Sequence, residues 1–193
     1  MARPTVDNTQ DTKNLALDAM GQLIQEFGYN GVSMNALAQR IGVRKASLYH
    51  HFPDGKEQLV ANMIERMIHK HGQGYQAVLD RDVSVKERLE HVLQFSLAAN
   101  SEVSHVVTDS LRFLHSEQRS GLWELFQQNQ YQKIKRVLDD GVASGELRRH
   151  ETTISTWMFL SLMRELGVWE SFISDQDFSE RVVSLFLEGV RKA

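Results

Sequence analysis

A chain of 193 residues, 41% apolar and 24% charged, is large enough for one generous globular core or two small ones. It has no cysteine, which excludes disulfides and thiolate metal sites and suits a reducing compartment, and no run of about eighteen apolar residues that would span a membrane. Its net charge of −3 is spread unevenly: residues 1–56 hold six basic against five acidic side chains and the remainder sixteen against twenty, so any polyanion must be held by local potential.

The first fourteen residues, MARPTVDNTQDTKN, contain no apolar stretch fit to serve as a signal peptide, so a cytoplasmic protein is expected. The only prolines are Pro4 and Pro53, which leaves residues 6–52 and 54–193 without an internal helix breaker. Leu15, Ala16, Ala19, Leu23, Ile24 and Phe27 form the stripe of an amphipathic helix over 14–27, broken by Gly28-Tyr-Asn-Gly31. Ser33 caps a short helix to Arg40, with Met34, Leu37, Ala38 and Ile41 facing inward. After Gly42 a second short helix covers 43–51, and Phe52-Pro-Asp-Gly55 is a turn in which Asp54 can cap the next helix, 56–71. Gly72 and Gly74 are the expected joint between two lobes. Further helices are predicted after Ser84, after Ser101, over about 121–143, from Thr152 or Thr153 to Phe172, and over 178–190. No stretch alternates like a strand. The fold class is all-α with about nine helices: a three-helix domain over 1–55 and a helical bundle over 56–193, connected by helix 56–71.

Residues 31–59, GVSMNALAQRIGVRKASLYHHFPDGKEQL, carry the most chemistry. Two short helices around a glycine turn, with small residues Ala38 and Gly42 at the approach and Leu37, Ile41, Val43 and Leu48 inside, make a helix-turn-helix. Its second helix presents Arg44, Lys45, Ser47, Tyr49 and His50, donors suited to base edges and phosphates in a major groove. Lys56 and the free N–H groups of the helix it starts suit another phosphate, and the Ser33 hydroxyl can do the same one helix earlier. His51 reads as a packing or capping residue, and Arg3 sits on an arm that can reach a phosphate or minor groove.

Over 27–59, including the Phe-Gly-Tyr start and the Leu-Tyr-His-His-Phe-Pro run, the sequence resembles the TetR family of bacterial regulators. Arg44 stands where that family often has a small hydroxyl residue, and Asp54-Gly55 makes the turn one residue longer than its commonest form. The resemblance implies a homodimer on a near-palindromic double-stranded operator, a repressor in its usual form. It also implies a small-molecule effector that changes the spacing of the two recognition helices, which is about 34–36 Å in such dimers.

The last two helices fit that expectation. Trp157, Phe159, Leu160, Leu162, Met163, Leu166, Trp169 and Phe172 exceed one stripe, and a helix apolar all round must bury its second face, here against a partner subunit. Leu160, Leu166, Gly167, Trp169, Phe186 and Val190 are the expected interface residues. An effector pocket is expected among the middle helices, walled by Phe95, Val107, Leu111, Phe113, Trp123, Phe126, Tyr131, Met158 and Met163. Arg164, with Glu165, can anchor a polar ligand or pair across the dimer, and Arg112 is a similar candidate. Among eight histidines, the pairs His105/Asp109 and Glu65/His69 share helix faces, but two ligands do not make a site and no metal is expected. No Gly-x-Ser-x-Gly, His-Glu-x-x-His or phosphate loop occurs, so neither a catalytic residue nor a cofactor is expected and the chain does not read as an enzyme.

Overall fold

The protein, as a computed structural model, is described over residues 8–100, 107, 109–169 and 177–189. Helices α1 (Asn8–Gly31), α2 (Met34–Arg40), α3 (Lys45–His51), α4 (Lys56–Leu79) and α5 (Val85–Asn100) come first. Residues 109–111 are helical too, and α6 (Ser116–Phe126) then runs through a π-helical turn (Gln127–Tyr131) into α7 (Gln132–Ser144). The last two are α8 (Thr152–Trp169) and α9 (Phe178–Glu188). Among the described residues there is no β-strand, and no helix is long and apolar enough to cross a membrane. The protein is all-α, as its periodicity predicts.

Two compact units emerge, residues 1–66 with 105–122, and residues 67–104 with 123–193. In the first, α1, α2 and α3 pack on one another around Ala16, Leu17, Met20, Leu23, Ile24, Leu37, Leu48 and Phe52. Leu15 and Phe27, expected on the inner stripe of α1, are 52% and 61% exposed. Leu17 takes the inner place of Leu15. Phe27 lies at the end of the packed stretch, where non-helical backbone at Gly28 kinks the helix.

The second unit has α5, α7, α8 and α9 around Leu89, Val92, Leu93, Ile134, Leu138, Phe159 and Val183. Ser84 opens α5 with a reciprocal cap: its hydroxyl accepts from the Glu87 N–H at 3.2 Å and the Glu87 carboxylate accepts from the Ser84 N–H at 3.0 Å.

Gly72 and Gly74 correct a sequence expectation. They do not loosen the chain, because α4 passes through both and ends at Leu79 rather than at His71. Their role is close approach. A Cβ on Gly72 would lie 2.7 Å from the Asn129 side chain in the π turn, and one on Gly74 would lie 2.0 Å from Phe95 Cζ. The Lys133 ammonium donates to the Gly72 carbonyl at 2.6 Å, which fixes the same contact. A methyl at Gly74 is therefore expected to destabilise the protein by about 1–3 kcal/mol through overpacking. Alanine at Gly121 of α6, where a Cβ meets nothing within 4 Å, should instead stabilise by roughly 0.5–1 kcal/mol. Urea unfolding of G74A and G121A checks this, and equal midpoints would refute the close-approach account.

Candidate nucleic-acid interface

The turn between α2 and α3 is built from local bonds. Ser33 Oγ accepts from the Ala36 N–H at 3.1 Å and starts α2. At the other end the Val43 N–H donates to the Ala38 carbonyl at 3.0 Å, and Gly42 turns the chain with φ +71°, a conformation that a Cβ would strain. α3 begins at Lys45, two residues later than its sequence pattern suggests, with Arg44 extended at the N-cap.

Of the seven residues of α3, Leu48 alone is buried, at 0% exposure. Together with Phe52, equally buried just beyond the helix, it pins α3 to the core. Arg44, Lys45, Ser47, Tyr49 and His50 are then all exposed around it, and His51 is half-buried beside Phe52. The Lys45 ammonium lies 5.5 Å from the centre of the Tyr49 ring, a cation–π pair that aligns two donors. Arg40 and Arg66 are committed to ion pairs with Glu26 and Asp18, whereas Arg44 and Lys45 have no ion-pair partner among the described residues. The uncommitted positive charge of this surface thus sits at the start of the exposed helix, where α3 can enter a groove 12 Å or so wide.

Lys56 behaves differently. Its Nζ donates to the Tyr29 carbonyl at 2.5 Å and lies 3.9 Å from the centre of the Tyr29 ring. Burial pulls its pKa down from the usual lysine value. The Tyr29 ring also stacks on Phe113, centroids 4.3 Å apart and planes within 5°, and burial, then the Glu57 charge, raises its phenol pKa. Glu57 Oε2 in turn meets His115 Nε2 at 3.0 Å. Tyr29 escaped the sequence reading because it lay in a presumed loop. An aromatic side chain in an otherwise polar Gly-Tyr-Asn-Gly break was the available signal.

The second unit holds most of the other candidates. Phe95 packs edge-on to Tyr75 and His71, and the Tyr75 hydroxyl bonds Ser96 Oγ at 2.8 Å above the Met163 sulfur. Burial pushes the Tyr75 pKa up to about 12 and lowers that of His71, so both are neutral. Phe126, Tyr131 and Trp123 gather on Trp157, with Trp123 and Trp157 parallel at 5.6 Å. Trp123 and Met158 are nonetheless 49% and 59% exposed, and Arg164 is exposed as well, since α8 turns Phe159, Leu160 and Met163 inward. Val107 and Leu111 are half-buried and belong to the first unit, so the nine candidates form no single cluster within either unit. Leu160 is buried in its own core, and Leu166 and Phe186 pack against that core. Val190, Arg3 and His105 lie outside the described residues, as do the surroundings of Gly167 and of the Trp169 side chain. Among the described residues no group of three or more potential metal ligands occurs.

Comparison with known proteins agrees with this geometry. Residues 16–63 match the profile described as "Bacterial regulatory proteins, tetR family". The transcriptional regulator LmrA of Bacillus subtilis (strain 168) is 40% identical over 57 residues, 30% of each chain, so this likeness spans under a third of that relative's length. IcaR of Staphylococcus epidermidis, a negative regulator of the biofilm operon icaADBC, is 27% identical over 123 residues, 54% of this chain and 66% of its own. The solved structure of AibR with isovaleryl coenzyme A and operator DNA superposes with a TM-score of 0.76 at 20% identity, over 91% of this chain and 98% of AibR. The profile match takes in the helix-turn-helix, and similarity in fold extends over nearly the whole chain.

Proposed function

We propose that this chain is a DNA-binding transcriptional regulator of the TetR type, a repressor released from its operator by a small apolar or amphipathic molecule. The observation that carries the reading is α3, with one buried leucine and a full outward face of Arg44, Lys45, Ser47, Tyr49 and His50. These five, with the Ser33 hydroxyl as a further donor to phosphate, are the proposed contacts to DNA.

Two copies are needed to read a palindrome. The proposed homodimer forms through α8 and α9, where Ile154, Met158 and Leu185 are large apolar side chains left exposed in one chain. Leu160, Leu166 and Phe186 support that face from behind, within the subunit's own core. The effector is placed among the aromatic and methionine side chains of the second unit, with Phe95, Phe126, Tyr131 and Met163 as walls. The Tyr75–Ser96 pair is a polar mark that an amphipathic ligand can displace. α4 contains residues of both units in one uninterrupted helix and is the proposed mechanical route from ligand to DNA. Repression follows the role of IcaR as a negative regulator, and AibR supports a fold that takes both a small molecule and operator DNA. Such a protein works in the cytoplasm and needs no catalytic residue.

Selection of duplexes from a random-sequence pool with the full chain tests this. The expected winners carry two inverted half-sites about one helical turn apart, and their binding weakens steeply with added salt as counterions compete for phosphates. A pool that yields no enriched duplex sinks the DNA-binding assignment, and winners lacking inverted symmetry sink the dimer.

A further inference from the structure

A lysine at the start of a helix beside a recognition helix invites assignment to a DNA phosphate. Here the ammonium of Lys56 is already occupied. It bonds the Tyr29 carbonyl at 2.5 Å and sits 3.9 Å from the centre of the ring of that same residue. Reaching a phosphate would cost both contacts. The opposite face of the Tyr29 ring is occupied too: Phe113 lies parallel at 4.3 Å, and one face has no room for both a stacked ring and an ammonium. Arg112 lies 5.4 Å over Phe113 and closes a column of cation, ring, ring and cation.

The column joins parts that matter for DNA reading. Gly55 and Phe52 link α3 to α4 through a 2.9 Å backbone bond, so the place where α4 begins sets how α3 is presented. Lys56, the first residue of α4, is held by Tyr29, and Glu57 beside it lies 3.0 Å from His115 Nε2. Phe113 and His115 belong to the segment 105–122, which lies in the first unit but is flanked in sequence on both sides by residues of the second.

We infer that Tyr29 is a positioning residue for DNA binding: its ring and carbonyl hold Lys56, Phe113 holds the ring from behind, and Lys56 orients the recognition helix instead of gripping a phosphate. This rests on the DNA-binding reading and adds to it the residues that hold the start of α4 beside the recognition helix.

The two roles of Lys56 separate in the salt dependence of binding. A lost phosphate contact reduces the slope of log K against log salt by about 0.9, and a lost positioning contact leaves it unchanged. With a duplex recovered from the pool by the native chain, K45Q serves as the phosphate-type reference. K56Q, Y29L and F113L are each expected to weaken binding about tenfold at the native slope. The double variant K56Q/Y29L should bind no worse than the poorer single, and Y29F, which keeps ring and carbonyl, should restore what Y29L loses. A reduced slope in K56Q, additive losses in the double variant, or native affinity in F113L overturns the inference. Should Y29L fail to fold, the K56Q/F113L pair provides the same cycle. If the native chain enriches no duplex, the DNA-binding reading fails on its own account. Hydrogen exchange on the free protein then decides this one: F113L should speed exchange at residues 59–62, and native rates there refute it.

Discussion

Replacing Arg44 and Tyr49 together by alanine is expected to cost at least a hundredfold in operator affinity, roughly 3 kcal/mol, with no change in thermal stability. The two halves of that prediction have separate origins. Affinity depends on donors that meet base edges and phosphates, and a good bidentate pair contributes about 1–3 kcal/mol. Stability depends on buried contacts, and α3 has one such residue, Leu48. Arg44 is exposed and unpaired among the described residues, and Tyr49 is 40% exposed with the lysine above its ring as a neighbour. Surface substitutions of this kind change stability by within about 0.5 kcal/mol. Leu48→Ala reverses the pattern and should lower the melting temperature, since truncating a fully buried leucine costs about 2–5 kcal/mol. Fluorescence anisotropy with the selected duplex and a thermal scan of each variant measure both quantities. Full affinity in R44A/Y49A would mean that another surface reads the DNA.

The helix-turn-helix was legible because each local signal agreed with its tertiary setting. Ser33 caps, Gly42 turns with positive φ, and Leu48 faces inward, all as their residue types and spacing suggest. Legibility failed where one residue type serves two purposes. Gly72 and Gly74 have the composition of a hinge, but their partners Asn129 and Phe95 come from distant sequence, and only those partners reveal close packing inside a helix. The contact of Lys56 with Tyr29 was hidden likewise, since its carbonyl acceptor is 27 residues away in sequence. For Trp123 and Met158 the difficulty was facing. An apolar side chain on a helix rich in apolar residues does not disclose whether core, ligand or a second subunit will cover it.

That ambiguity can be resolved at α8 and α9. Ile154 and Met158 are one helical turn apart and 60% and 59% exposed, and Leu185 on α9 is 72% exposed, while Phe159 and Phe186 behind them bring the two helices together at 5.2 Å. Full burial of each such side chain is worth about 1.5–3 kcal/mol, and a two-fold axis counts every contact twice. Glutamate at Met158 and Leu185 should therefore place four unpaired carboxylates in the interface, each with a desolvation cost of several kcal/mol. The isolated subunit should tolerate them, because both positions face solvent within one chain. The native chain is expected to sediment as a dimer, and the M158E/L185E chain as a folded monomer at the same concentration. Its operator affinity should fall by about 10²–10⁴, because the second half-site no longer benefits from the effective concentration that a linked partner supplies. If the variant stayed dimeric, the exposed apolar face would belong to something other than a second copy, and the two-fold reading of the operator would have to rest on a different pair of helices.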